Sequence, residues 1–344
     1  MLDREHAFVA TSAPQRRAWG KQQLAAAEEV ASGLWAVAIP MPGPRMPYSL
    51  GYVFFGDDGT HIIDPGWSGE TTLQAWEAFL ADHGRTLRDV TTILVTHSHP
   101  DHLGAADQLR AASGARLILS DVESQVVNGA GRQLLAAADR RQRMQEWGVP
   151  HEVQEELLAP VLLDRPSPAV AADALLADGE TLQLAGHTLR AIITPGHTAG
   201  HLCLEAPDLG LIFTGDHVLP QINPGLGLGS LPGSDPLIDY LTSLRAMHAF
   251  DAHEVLPGHE YRFRGLAVRS DQIVDHHLGR TRAVAALAPE LGDSPVWEYA
   301  KRSPWSRGWE GMQGFLLFSA LAQTSLHLDA VRSGRAEPWL QLTR

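Results

Sequence analysis

The chain has a single cysteine, Cys203, among 344 residues. No second thiol exists to pair with it, so an internal disulfide is excluded. In the run His201-Leu202-Cys203-Leu204 it reads as a small buried hydrophobe. Basic residues are in the minority: 27 Lys plus Arg against 40 Asp plus Glu leave a formal charge of −13. Phosphate contacts need a cationic surface, so this balance disfavours general nucleic-acid binding. No run is long and apolar enough to span a bilayer. The stretch Met1-Leu2-Asp3-Arg4-Glu5-His6 lacks the apolar core of a secretory signal, which makes the cytoplasm the expected location. There is no internal repeat and no low-complexity block. The hydrophobic fraction, 44%, is ordinary, and the length suits one large domain plus a small one.

What the chain has is histidine at informative positions. Thr96-His97-Ser98-His99-Pro100-Asp101-His102-Leu103-Gly104 packs three imidazoles and a carboxylate into six positions. It follows Ile93-Leu94-Val95, which reads as a buried strand, and leads into Ala105-Ala106-Asp107-Gln108-Leu109, which reads as a helix start. The ligand-type side chains therefore sit on a turn at the C-terminal end of a strand, where open α/β sheets tend to build their sites. His-x-His places two imidazoles on the same side of an extended backbone. Asp101 and His102 come after the turn and point elsewhere, toward a second position. Neutral imidazole with carboxylate suits zinc, and also iron or manganese.

Three further strands end the same way. Leu189-Arg190-Ala191-Ile192-Ile193 runs into Thr194-Pro195-Gly196-His197-Thr198. Leu211-Ile212-Phe213 runs into Thr214-Gly215-Asp216, and Glu254-Val255-Leu256 into Pro257-Gly258-His259. Glycine lets the backbone make each sharp bend. Four strand-end turns in series, each presenting a metal-type ligand, point to a metal centre.

These residues resemble the motifs of the metallo-β-lactamase superfamily of metallo-hydrolases. The matching positions are His97, His99, Asp101, His102, His197, Asp216 and His259. Asp64, in Ile62-Ile63-Asp64-Pro65-Gly66, matches the family's early strand-end aspartate. The resemblance runs from about Leu34 to Tyr261. It implies an αββα sandwich, two mixed sheets face to face with helices outside and metals at one edge. It also implies two divalent ions, zinc first, with iron or manganese as alternatives. His97, His99 and His197 would bind one ion, Asp101, His102 and His259 the other, and Asp216 would bridge them. A hydroxide between the ions would attack a carbonyl or phosphoryl centre. Asp101 would in addition orient that nucleophile or shuttle a proton, and Asp64 would orient a ligand imidazole.

Around this core the chain divides into a lead-in, residues 1–32, a catalytic domain, 33–265, and a C-terminal region, 266–344. The lead-in reads as polar, Ala-rich and partly helical. The Pro-rich piece Pro40–Pro47, with Met41 and Met46, reads as a loop at the rim of the site. Residues 121–163 read as an inserted helical lid, or as a dimer contact. Its apolar positions include Leu134, Leu135, Met144, Trp147, Val149, Val153, Leu157, Leu158, Val161 and Leu162. The Gly- and Pro-rich stretch Val218–Pro236, directly after Asp216, reads as a substrate-contacting loop. The C-terminal region has the pattern of the small, helical, winged-helix-like tail of one metallo-hydrolase branch. Its stretch Gly311–Leu321 has no Lys or Arg, so a structural tail is expected rather than a nucleic-acid clamp.

Among 17 histidines, five are assigned to metal. His201 and His217, close to ligands in sequence, are read as packing or solvent-facing, with support of a ligand as the alternative; His276 and His277 are read as helix surface or domain contact, and Tyr261 as packing. The preferred activity is hydrolysis of a lactone, ester, thioester or amide in a small hydrophobic substrate. A phosphodiesterase or ribonuclease and a single-iron oxygenase on the same scaffold are the alternatives. A dedicated β-lactamase is disfavoured, because such enzymes are usually exported and commonly depart from this ligand set.

Overall fold

The structure, a computed structural model, describes residues 8–43, 46–128, 137–163, 170–227 and 230–341. Pro44 and Arg45 of the Pro-rich loop, Leu134 and Leu135 of the insertion and Gly229 of the Gly-rich stretch lie outside these residues.

In chain order the strands are β1 (Val9–Ala10), β2 (Glu28–Ala31), β3 (Leu34–Pro40), β4 (Tyr48–Gly56), β5 (Gly59–Ile63), β6 (Val90–Leu94) and β7 (Arg116–Ser120). They continue as β8 (Ala174–Leu176), β9 (Thr181–Leu184), β10 (His187–Ile193), β11 (Leu202–Ala206), β12 (Leu211–Gly215), β13 (Glu254–Pro257) and β14 (Phe263–Arg264). One sheet runs β2-β3-β4-β5-β6-β7-β8 and the other β1-β14-β13-β12-β11-β10-β9. Both are mixed. In the first, β5 to β8 are parallel and β2 to β5 antiparallel. In the second, only β12 and β13 pair in parallel.

The central strands are apolar on both faces because both faces are covered. Leu34, Leu50, Tyr52, Phe54 and Ile63 meet Leu189, Leu202, Leu204, Phe213 and Leu256 between the sheets. Outside the first sheet, Val53, Ile62, Ile93 and Leu117 bury against Trp76, Phe79 and Leu80 of helix Glu70–Asp82 and Leu109 of helix Ala106–Ser113. Outside the second, Cys203, Ile212 and Val255 bury against helices Pro236–Ala246 and Leu266–Leu291. This is the expected αββα sandwich, and Cys203 is buried as expected.

The lead-in is more integrated than its composition suggested. Val9 and Ala10 pair with Arg264 and Phe263, and Glu28–Ala31 edges the opposite sheet, so it contributes a strand to each. Between them lies helix Ala13–Gly20. Ser12 caps it, accepting from Gln15 N at 3.1 Å, and Pro14 sits in its first turn.

The insertion forms helices Asp121–Asn128, Ala137–Glu146 and His151–Leu163. Met144, Trp147, Val149, Leu157 and Leu158 bury against Val284, Tyr299, Leu317, Leu321 and Leu328 of the C-terminal region. The Trp147 indole N–H reaches Ser325 Oγ at 3.2 Å. The described part of the apolar face that suggested a lid or a dimer contact is thus covered from within the chain.

The C-terminal region consists of helices Leu266–Leu291, Val296–Arg302, Gly314–Arg332 and Glu337–Gln341. It holds no strand among its described residues, so it shares with a winged helix its helices and not a β wing. Gly314–Arg332 is a single helix of 19 residues. No described helix is long and apolar enough to cross a membrane.

Candidate metal centre

The four ligand-bearing turns lie at one end of the sandwich. β6 delivers the His97–His102 segment, and Pro100 starts the short helix Pro100–Leu103 that turns Asp101 and His102 away from His97 and His99. β10 leads to His197, β12 to Asp216 and β13 to His259. Donor atoms of His97, His99, His197 and Asp216 lie within 4.8 Å of one another, and so do those of Asp101, His102 and His259. All seven side chains are buried except that of His99, which is half-buried.

Within the first cluster, His97 Nε2 and His197 Nε2 each stand 3.0 Å from His99 Nδ1. Asp216 Oδ2 is 3.7 Å from His197 Nε2. In the second cluster, His259 Nε2 is 3.1 Å from Asp101 Oδ2. Asp216 faces both: its Oδ1 lies 3.4 Å from His102 Nε2 and its Oδ2 3.5 Å from His259 Nε2. Gly258 makes this approach feasible. A Cβ there would fall 2.6 Å from Asp216 Oδ1 and 2.6 Å from His102 Cε1.

The outward ring nitrogens fix the tautomers. His102 Nδ1–H donates to Asp64 Oδ2 at 2.8 Å, His197 Nδ1–H to Gly225 O at 2.6 Å, and His259 Nδ1–H to Tyr48 O at 3.2 Å. Thr96 Oγ1 donates to Asp64 Oδ2 at 2.7 Å, so at 3.1 Å it accepts from His97 Nδ1–H. In all four rings Nε2 then points inward, where a metal-binding imidazole needs it.

The donor set fits a cation on a direct observation. His102 Nε2, His259 Nε2 and Asp216 Oδ1 are buried and make no well-formed hydrogen bond among the described residues, although they face one another and Asp101 as ion pairs at 3.1–3.5 Å. Such buried polar atoms are costly, and three converging on one point need an explanation. Divalent ions bound by imidazole and carboxylate supply one.

Without an ion, the two clusters hold protons differently. Burial, with the neighbouring His102 and His99 rings, drives His97 well below the usual imidazole range. Burial and His99 push His197 down to about 4. Burial alone would also lower His259, but Asp216 and Asp101 outweigh it and raise it to about 10. His102 is raised in the same way by Asp216, Asp64 and Asp101 against the effect of burial. Burial would raise Asp101 and Asp216, yet His102 and His259 hold both below the usual carboxylate range.

Asp64 lies at the end of β5, with a left-handed φ of 56°. Its carboxylate also accepts Thr96 N–H at 2.7 Å, so it ties β5 to the ligand segment. A non-glycine residue in this region costs about 1–3 kcal/mol and tends to mark functional sites.

Several supports carried no spacing signal. His201, read first as packing, accepts Asp216 N–H at Nε2 (3.1 Å) and donates from Nδ1 to Thr194 Oγ1 (2.8 Å), so it orients Asp216. Glu260, at φ 71°, accepts Gln221 N–H and Ile222 N–H. Arg269 donates to Leu219 O, Ile222 O and Asn223 Oδ1, and Gln323 to Leu226 O. The Gly- and Pro-rich loop after Asp216 is therefore held from the C-terminal helices. His217 and His277 are buried in contact with the Tyr240 ring and are not among the clustered donors, although the His217 ring lies 5.8 Å from that of His201. Tyr261 is buried.

The comparisons with known proteins agree with this geometry. A family model described as the metallo-beta-lactamase superfamily matches residues 47–259. A hydroxyacylglutathione hydrolase from Cereibacter sphaeroides is 29% identical over 60% of this chain and 63% of its own length. An atrochrysone carboxyl ACP thioesterase from Aspergillus fumigatus is 27% identical over 65% of this chain and 54% of its own. The chain thus spans less than two thirds of either relative. A metallo-beta-lactamase family protein from Thermus thermophilus superposes with a TM-score of 0.72 at 27% identity, over 90% of this chain and 96% of that one. With that match across its sandwich and ligand turns, the chain belongs to the metallo-beta-lactamase superfamily.

Proposed function

We propose that the protein is a binuclear metal-dependent hydrolase acting on a carbonyl centre of a small hydrophobic substrate, with acyl thioesters the first class to test. The observation that carries this reading is the meeting of two donor clusters at one carboxylate, Asp216, with three buried atoms between them that make no well-formed hydrogen bond. His97, His99 and His197 would hold one ion and Asp101, His102 and His259 the other, with Asp216 reaching both. Two ions there, zinc being the first candidate, would lower the pKa of a shared water to about 7 and polarise the oxygen under attack.

The chain's own residues do the rest. Asp64 and His201 keep His102 and Asp216 in place. Asp101, at the edge of the second cluster, can take a proton from the nucleophile or orient it. Met46 and Ile222 are half-buried apolar side chains packed on the core. Each belongs to a loop tied to His259: Tyr48 O accepts from its ring, and Glu260, its neighbour, accepts Ile222 N–H. They supply an apolar wall for an acyl group. The names of the two relatives, a hydroxyacylglutathione hydrolase and a thioesterase, support acyl chemistry. The tail's apolar faces are taken up by the insertion, which supports a structural role for it.

A hydrolysis screen on metal-replete protein tests this. It sets thioesters, lactones and esters against an activated phosphodiester and single-stranded RNA, with His97→Ala as control. Carbonyl turnover lost in the variant is expected. Turnover of the phosphodiester or RNA alone would overturn the proposal.

A further inference from the structure

We propose that Glu123 is the positioning residue of the first cluster, holding all three of its imidazoles in place through one buried carboxylate. This rests on the metal-centre reading above. Glu123 is fully buried. Its Oε1 accepts Ser98 N–H at 2.7 Å, and its Oε2 accepts Thr198 Oγ1–H and Gly200 N–H, both at 2.9 Å. Ser98 stands between His97 and His99, and Thr198 follows His197. Every imidazole of that cluster is therefore next to a residue that Glu123 holds, and the two turns come from different sheets.

Local structure alone would place this carboxylate elsewhere. Ser120-Asp121-Val122-Glu123 has the form of a capping box. Its serine half is made, with Glu123 N–H donating to Ser120 Oγ at 2.9 Å. In a full box the glutamate would turn back to Ser120 N–H. Here both oxygens face the ligand turns instead. Ser120 Oγ–H joins them, donating to Gly200 O at 2.6 Å. Gly200 allows the close approach, since a Cβ there would lie 2.1 Å from Glu123 N.

The residue type follows from the partners. The two N–H groups can only donate, and the Thr198 hydroxyl donates here. A carboxylate, which only accepts, satisfies all three. A glutamine would set its NH2 against a backbone N–H. It would also leave a buried donor unsatisfied, so the turn carrying that donor would shift. Outer partners of this kind typically change metal affinity by about 10- to 100-fold.

The test is cobalt(II) binding to the full chain, followed by chelator competition and by the visible spectrum of the bound ion. Glu123→Gln is expected to weaken one of two ions by about 10- to 100-fold, leave the other unchanged and alter the cobalt spectrum. Thr198→Val removes a single donor and leaves the carboxylate. It is expected to weaken the same ion by a smaller factor, and it keeps the test decisive should Glu123→Gln fail to fold. Two ions bound with parental affinity and spectrum by a folded Glu123→Gln, or by Thr198→Val if that is the variant that folds, would overturn the role of Glu123 alone. Failure of the parent chain to bind cobalt would overturn it together with the metal-centre reading.

Discussion

Asp64 accepts the Nδ1–H of His102 at 2.8 Å while its own backbone is held at φ 56°. The contact links the end of β5 to the second cluster and turns His102 Nε2 inward. Removing the carboxylate frees the ring to rotate and strands Thr96 N–H, which Asp64 also accepts. Asp64→Ala is expected to weaken binding of one ion by about 10- to 100-fold, as read by competition with a chromophoric chelator. Unchanged affinity for both ions would show that the contact does not set the ring.

Outside the two clusters, His277 and His327 are buried in the C-terminal helices with their rings 5.8 Å apart. Burial, with the charge of Arg280, pushes His327 down to about 3, and burial with the His327 ring takes His277 well below the usual range. Both are neutral in the folded chain, whereas the unfolded chain takes up protons below about pH 6.5. Their contribution is therefore complete above about pH 6.5 and is lost as pH falls toward 3, at up to about 1.4 kcal/mol per pH unit for each group. Melting of metal-free protein should fall across this window. His327→Leu should flatten the fall, since Thr281 keeps its bond to His277 O. An equally steep fall in the variant would assign the acid sensitivity elsewhere.

The insertion and the tail share one core, so a core residue should report on their union. Trp147 contacts the Phe318 ring at 5.7 Å and is 8% exposed. Trp147→Ala is expected to cost about 3–5 kcal/mol with metal content unchanged, measured by denaturant unfolding and metal analysis. A loss under about 1 kcal/mol would mean that the insertion moves independently of the tail.

Cys203 is fully buried, and desolvation raises its thiol to about 12. A thiol reagent at neutral pH should label it only as fast as the chain opens. Rapid stoichiometric labelling of folded protein would contradict that burial.

The sandwich, and the convergence of the seven candidate ligands, were legible because the four segments that carry them each follow a short apolar strand at a turn, a pattern visible along the chain. Asp64 was legible for the same reason. The lead-in was not, since β1 has two residues and joins its sheet through backbone pairing with β14, which leaves no periodicity. The insertion's apolar face announced burial but not its partner, which lies more than a hundred residues later, at Ser325 and Phe318. Glu123 was hidden because Ser-x-x-Glu at a helix start reads as a cap. His201 was legible only as an alternative: its nearness to His197 suggests ligand support, but a histidine beside an apolar strand reads first as packing.

The most direct measurement is the metal content of the purified chain by elemental analysis, beside His97→Ala, His259→Ala and Asp216→Ala. Two divalent ions per chain are expected, falling to one when His97 or His259 is replaced and to less than one when Asp216 is. One ion or none in the parent, or two retained after loss of Asp216, would contradict a binuclear centre shared through that carboxylate.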